Sequence, residues 1–241
     1  AQADRDLLST QGKGPVVQLV DALLFEALGR GASDVHVQPL ADRALVRYQR
    51  DVKHCADKGY ETTINLMAVS TVGPRDLEEG LNDLAKCRVP IIYLVDSFGA
   101  FYQEDIEVLA KMYMERMPEK TIGIHAHNNQ QLAFANTISS IICGINYLDA
   151  TLYGIGRGAG NCPLELLLSF LKNPKFEVRP LIKVIEEQIL PWREKIDWGY
   201  FIPYMVSGVL NQHPRAAMAC MESEKKNQVT EFYDQMTSVA S

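Results

Sequence analysis

The sequence has little of what several specialised protein classes require. Its 241 residues hold five cysteines, Cys55, Cys87, Cys143, Cys162 and Cys220, an odd number with no Cys-x-x-Cys pair. That excludes a disulfide-stapled framework and points to reduced thiols in a cytoplasmic protein. Basic excess is also missing: Lys+Arg 24 against Asp+Glu 30 leave a net charge of −6, so no basic field holds nucleic acid by counterion release. No stretch reaches the roughly 20 uncharged apolar residues of a membrane span, and the opening AQADRDLLST lacks the apolar core of a signal peptide. The phosphate-cradling pattern Gly-x4-Gly-Lys-[Ser/Thr] occurs nowhere; Gly12-Lys13-Gly14 is only a superficial echo. Hydrophobic residues, in contrast, make up 47% of the chain, enough to core one α/β barrel or two smaller domains.

Two kinds of material follow one another. From Gly14, Pro15 opens an amphipathic helix carrying Val16, Val17, Val20, Leu23, Leu24, Ala27 and Leu28, closed near Gly31. Residues 33–39 and 44–48 then read as two strands across a polar turn. From Asp51 strands and helices alternate. Strands are expected at residues 62–69, 89–95, 121–125 and 147–152, and helices at 75–86, 103–116 and 130–143, a period of roughly 30 residues suited to parallel βα units. After Pro163 the chain reads as helix at 164–171, 180–196, 204–210 and from 227. The expected fold class is α/β: a partial (β/α)8 TIM-type barrel of about four βα units, with a helical C-terminal region and a small α+β N-terminal segment. A doubly wound open sheet uses the same units and is the alternative. The expected domains are residues 1–50, 51–172 and 173–241.

The informative strand is Thr121-Ile122-Gly123-Ile124-His125-Ala126-His127. Alternation puts Ile122 and Ile124 on one face and both imidazoles on the other, at the strand's C-terminal end, where they can chelate one divalent ion. A hydrogen-bonded histidine pair is the plainer reading of that spacing. Asn128 and Asn129 continue the rim. The next strand runs into Gly154-Ile155-Gly156-Arg157-Gly158-Ala159-Gly160-Asn161, four glycines in seven residues followed by one asparagine. Such a loop is either a hinge or a backbone shaped for close approach, offering N–H groups to an anionic substrate and Asn161 as a neutral oxygen ligand. Arg157 meets a carboxylate or solvates the loop. Asp96, ending its strand, either supports a ligand or caps the following helix. His36, His54 and His213 are given no site role.

Ile-His-Ala-His-Asn-Asn together with Leu-Asp-Ala-Thr-Leu-Tyr-Gly-Ile-Gly-Arg-Gly-Ala-Gly-Asn resembles the 4-hydroxy-2-oxovalerate aldolases and related metallolyase barrels. The likeness runs from about residue 52 to 221 and includes Val-Asp-Ser-Phe-Gly at 95–99 and Gly-Val-Leu-Asn-Gln-His-Pro-Arg-Ala-Ala-Met at 208–218. It implies that His125 and His127 hold Mn2+ or a similar ion (Mg2+, Co2+ or Zn2+), with Asn161 where some relatives use an asparagine ligand. It implies Arg157, Gly158, Gly160 and Asn128 around the substrate, a small 2-oxo acid. Retro-aldol cleavage to pyruvate and an aldehyde is the implied reaction, and an aldehyde dehydrogenase the implied partner. The family's Asp-x-Thr-x-Arg-Asp signature, with its metal-binding aspartate and catalytic arginine, is absent, so no catalytic residue or general base is assigned. Residues 14–48, with Gly31-Ala32-Ser33-Asp34-Val35-His36, are similar to an N-terminal region of type II secretion and type IV pilus assembly ATPases.

These resemblances imply a chimera joined near residues 49–51 and carrying half a barrel. Open sheet edges then predict a homo-oligomer. Three functions remain in play: a metal-dependent aldolase-type lyase, a catalytically inactive chimeric or structural protein retaining weak metal binding, and a secretion-system interaction module.

Overall fold

The computed structural model describes Asp34–Pro39, Ala44–Gln49 and residues 62–240, and it divides into two compact units between Thr63 and Ile64. In the first unit β1 (Asp34–Pro39) and β2 (Ala44–Gln49) pair antiparallel, Val35 opposite Tyr48 and Val37 opposite Val46. This is the hairpin that the alternating residues predict. The expected helix from Pro15, the segment holding His54 and Cys55, and the side chain of His36 lie outside the described residues.

The second unit is an α/β fold of repeated βα units, as a partial (β/α)8 barrel requires. Its sheet has the order β3 (Thr63–Leu66), β4 (Ile91–Asp96), β5 (Thr121–Ala126), β6 (Tyr147–Leu148). β4 and β6 each run parallel to β5, with Val95 level with His125 and Ile124 level with Leu148. Every residue of β4 is buried, which is why Ile-Ile-Tyr-Leu-Val reads as an unbroken apolar run. β3, at the sheet's end, alternates between exposed and half-buried residues.

Helices fill the crossovers. α1 (Pro74–Ala85) begins with Pro74, whose fixed φ and missing N–H suit a first turn, and buries Leu77 and Leu81. α2 (Gln103–Arg116) is anchored by Asp105, whose Oδ2 accepts the Tyr102 N–H at 2.9 Å. Its Ile106, Ala110 and Tyr113 form one buried ridge, continued by Met117. α3 (Ala133–Ile142) buries a polar face, three of whose side chains are hydrogen-bonded: Asn136 Nδ2 donates to the Phe101 carbonyl at 2.8 Å, and Thr137 and Ser140 donate back along the helix.

Three expectations are corrected. The strand expected over 147–152 is only two residues long, because Thr151 pairs with the following loop instead: its N–H donates to Cys162 O at 3.0 Å and its carbonyl accepts from Leu164 N at 2.9 Å. The single helix expected over 180–196 is α5 (Val178–Val184) and α6 (Leu190–Arg193), joined through a π-turn at Ile185–Ile189. Pro191 supplies no N–H to a regular ladder, and the wider turn accommodates that. Beyond α7 (Ile202–Val209), Pro214 opens a helix the sequence reading did not separate, α8 (Arg215–Glu222), before α9 (Val229–Ala240). α4 (Leu164–Leu171) matches its expected bounds. Among the described residues no helix is long and apolar enough to cross a membrane.

Candidate metal centre

The C-terminal ends of the strands are tied together by hydrogen bonds. Ala68, after β3, donates its N–H to Ser97 Oγ at 2.7 Å; His127, after β5, donates its N–H to Asp96 O at 3.3 Å; Asp149, after β6, donates to Ile124 O at 3.0 Å. Each of these four ends also carries a left-handed residue in its loop: Ala68 (φ 54), Gly99 (φ 58), Gln131 (φ 62) and Tyr153 (φ 54). Non-glycine residues there are strained, and such strain gathers where function shapes the backbone.

His125 and His127 lie on the same side of β5, their ring centroids 4.9 Å apart and nearly perpendicular. Their common face is kept open by Gly123 two residues earlier, where a Cβ would stand 2.7 Å from the buried Tyr93 ring. Each ring is held by its Nδ1: His125 Nδ1 lies 3.0 Å from Asp149 Oδ2, and His127 Nδ1 lies 2.9 Å from the Asp96 carbonyl oxygen. Both partners accept, so Nδ1 carries the hydrogen in each imidazole and the two Nε2 lone pairs are left for a ligand. Burial lowers the His127 pKa, with the charges of His125 and Arg157 adding to the effect against the Asp96 hydrogen bond, so this ring is neutral near pH 7. Asp149 is a participant that the sequence reading passed over. Its signals are its place in the Leu-Asp-Ala-Thr stretch and its position one residue past β6, level with His125.

Asn161 comes to His127 through a backbone bridge, reinforced by Asn128 N donating to Gly160 O at 2.9 Å. Its Nδ2 donates to Ile155 O at 3.1 Å, while its Oδ1 is buried without a hydrogen-bond partner. An orphaned buried acceptor costs about 1–3 kcal/mol, a cost that a bound cation would remove. Two imidazole nitrogens and one amide oxygen therefore fit a divalent ion as a partial ligand set. Among the described residues no group of three His, Cys, Asp or Glu side chains is gathered to hold a metal.

The remaining expected site residues divide by position. Ser97, His127, Asn129, Arg157, Gly158, Tyr204 and Met218 are among the residues lining a narrow cleft, which neither His125 nor Asn161 reaches. Arg157 is exposed and is felt electrostatically by His127, Tyr204 and His213. Gly158 (φ +63) lies where a Cβ would meet the Tyr204 ring at 2.9 Å. Asn128 and Gly160 are not on the cleft: Asn128 Oδ1 accepts the Ala133 N–H at 3.2 Å at the start of α3, and Gly160 (φ +81) packs against the Gly154 carbonyl and Trp198. Asp96 does not cap α2, whose first turn is held by Tyr102 and Asp105; it shapes the turn before it. Its carboxylate accepts from Ala100 N at 2.9 Å and Phe101 N at 3.3 Å, shaping the turn into α2, and its main-chain carbonyl supports His127. Burial raises that carboxyl's pKa to about 7. His213 is exposed, its ring edge-on to Phe98 at 5.6 Å. A larger cavity of about 320 Å³ lies between α8 and α9, away from the histidines, and its one cysteine, Cys220, carries no cluster with it. Convergent polar groups, rather than volume, mark His125, His127 and Asn161 as the candidate site, and the cleft meets it at His127.

Several known proteins are similar to this chain over part of their length. The HMGL-like family matches residues 32–187. A 4-hydroxy-2-oxovalerate aldolase of Thermus thermophilus is 34% identical over 189 residues, 73% of this chain and 54% of the relative. An oxaloacetate decarboxylase of Mycobacterium tuberculosis is 36% identical over 125 residues, 51% of this chain and 36% of the relative. Among solved structures, the N-terminal domain of a provisionally assigned aldolase from Bacteroides vulgatus superposes with a TM-score of 0.63 at 31% identity, over 75% of this chain and 60% of that one. The carboxyl transferase domain of Rhizobium etli pyruvate carboxylase, at 14% identity and a TM-score of 0.56, shares the fold. The chain spans about half the length of the aldolase from Thermus. The family match begins at residue 32 and runs through the β1–β2 hairpin, the segment whose motif is similar to secretion ATPases, so the chimera is without support. With roughly two thirds of its residues inside that match, the chain belongs to the HMGL-like family of lyases.

Proposed function

We propose that this chain carries the metal-binding half of an aldolase-type lyase that cleaves a 4-hydroxy-2-oxo acid to pyruvate and an aldehyde. The observation that supports it is the pair of β5 imidazoles, each fixed through Nδ1 with Nε2 left over, beside the buried and unpartnered Asn161 Oδ1. His125, His127 and Asn161 would hold the ion, Mn2+ in the first instance. Such an ion, when bound, supplies positive charge against the 2-oxo oxygen, where negative charge builds as the C3–C4 bond breaks. The chain's own groups do the rest. Arg157 and Gly158 line the cleft in a protein that is otherwise net negative, and would give a substrate anion a local cationic landing point. Tyr204 and Met218 add apolar surface to the cleft lining. Asn128 and Gly160 hold the loop to the β5 rim. The aldehyde product is where the dehydrogenase partner implied by the resemblance would enter.

A second reading, a protein that binds metal weakly without turnover, is favoured by the lack of a third charged or imidazole ligand among the described residues. Mn2+ titration followed by a lactate-dehydrogenase-coupled pyruvate assay on 4-hydroxy-2-oxo acids separates the two. Metal-dependent pyruvate release that His125→Ala and His127→Ala both abolish supports the lyase. Metal binding with no pyruvate release supports the second reading, and no metal binding defeats both.

A further inference from the structure

The glycine loop between Gly154 and Asn161 is an expensive thing to order. Gly154, Gly158 and Gly160 all adopt left-handed φ, and glycine loses more backbone freedom on folding than any other residue. Bonds within the loop, Gly160 N to Arg157 O at 3.2 Å and Asn161 N to Gly154 O at 3.0 Å, set its shape but do not fix it to the rest of the fold. Asn128 N ties the loop to the β5 rim through Gly160 O at 2.9 Å, and one turn from the helical region ties it a second time. Trp198 is 2% exposed and donates its Nε1–H to the Tyr153 carbonyl at 3.1 Å, while its ring edge lies 3.4 Å from where a Gly160 Cβ would stand. The neighbouring Gly199 N–H donates to Gly158 O at 3.0 Å. The Arg193 guanidinium lies over both aromatic rings, 5.1 Å from the Trp198 centroid and 5.4 Å from that of Tyr153. Ile155, whose carbonyl fixes the Asn161 amide, packs against the same buried cluster as Trp198.

Resting on the metal-site reading above, we propose that Trp198 is a positioning residue: clamped by Arg193, it holds the glycine loop so that the Asn161 amide oxygen faces the ion shared with the two histidines. Contacts at residues 153 and 158 fall on either side of Arg157, and that at residue 160 immediately precedes Asn161, so the clamp acts beside the two loop side chains with chemistry to offer. A Trp198 that only filled space would affect stability without discriminating between ligands.

The test is a double-mutant cycle on Mn2+ affinity, read by electron paramagnetic resonance of the free ion, on the full chain, Trp198→Phe, Asn161→Ala and the double variant. Trp198→Phe keeps an aromatic ring but removes the donor to Tyr153. The expected result is a loss of affinity of about tenfold in the otherwise native chain, the scale typical of outer-shell partners, and less than about twofold in the Asn161→Ala background. Unchanged affinity in Trp198→Phe, or an equal loss in both backgrounds, overturns the proposal. Should Trp198→Phe fail to fold, Arg193→Met, at an exposed position, goes through the same cycle with the same criteria. The His125→Ala and His127→Ala variants serve as the control. If they bind Mn2+ as well as the native chain, the metal-site reading itself is wrong and this inference falls with it. If they lose the metal while the Trp198 cycle shows no coupling, the inference alone fails.

Discussion

Asp149 shows how much of a site can rest on a residue that its motif alone does not single out. Its carboxylate orients His125 through Nδ1, and outer-shell carboxylates of this kind typically change metal affinity by about 10–100-fold. Asp149→Ala is therefore expected to weaken Mn2+ binding within that range while leaving thermal unfolding within a few degrees, because the carboxylate is 41% exposed. Isothermal titration beside a melting curve checks both halves. His-x-His was legible because a strand's period of two forces both rings to one side. Asp149 and the Asp96 carbonyl were not, since main-chain and cross-strand partners leave no mark on a single line of sequence. Cys162 gives a second residue-level outcome. Burial, chiefly, pushes its thiol pKa up to about 11, so at pH 8 only roughly one molecule in a thousand carries the thiolate there. Raising the pH toward 11 would increase that fraction, but burial still denies access to the reagent. Cys162 is expected to resist thiol labelling at pH 8 in the folded chain and to label after denaturation, with peptide mapping as the measurement; rapid labelling of the folded chain contradicts its placement.

Among the elements, β5 couples the core to the chemistry. Ile122 and Ile124 are buried under the helices on one side and the histidines stand on the other, so packing on one face sets the aim of the opposite face. Ile124→Ala removes a side chain with no exposed surface and is expected to cost about 2–5 kcal/mol, measured by urea unfolding. A cost within 0.5 kcal/mol would mean that β5 is not the sheet's central support. Periodicity made α2 and α4 readable to their ends, and β4 nearly so, because each buries a regular stripe or run. It overextended β6, where pairing passes from the sheet to the glycine loop at Thr151. It also read one helix where Pro191 demands a π-turn. In both places a long-range or backbone requirement overrides the local pattern.

For the whole molecule, the open ends of the sheet matter most. Among the described residues the sheet ends at β3 and β6, and Phe170, Phe176, Trp192 and Ile196 are each about half exposed on the helices and turns between residues 164 and 200. Open strand edges and apolar exposure on this scale favour association. Sedimentation velocity at micromolar concentration is expected to show species heavier than the 27.0 kDa monomer; a single 27.0 kDa boundary across the range contradicts this. The alternation of strands and helices made the βα architecture visible from the sequence. The resemblance of residues 14–48 to secretion ATPases rested on one short motif and gave way to a family match that includes the hairpin. Short motifs without a long-range constraint carry that risk.

The central claim is that His125 and His127 bind one ion together through Nε2. Pulsed electron paramagnetic resonance of the Mn2+-loaded chain addresses it directly, since nitrogens bonded to the metal modulate the echo. The account predicts two imidazole nitrogens in the native chain, one after either His125→Ala or His127→Ala, and none in the double variant. A native spectrum with no nitrogen modulation, or one unchanged by both substitutions, would contradict it.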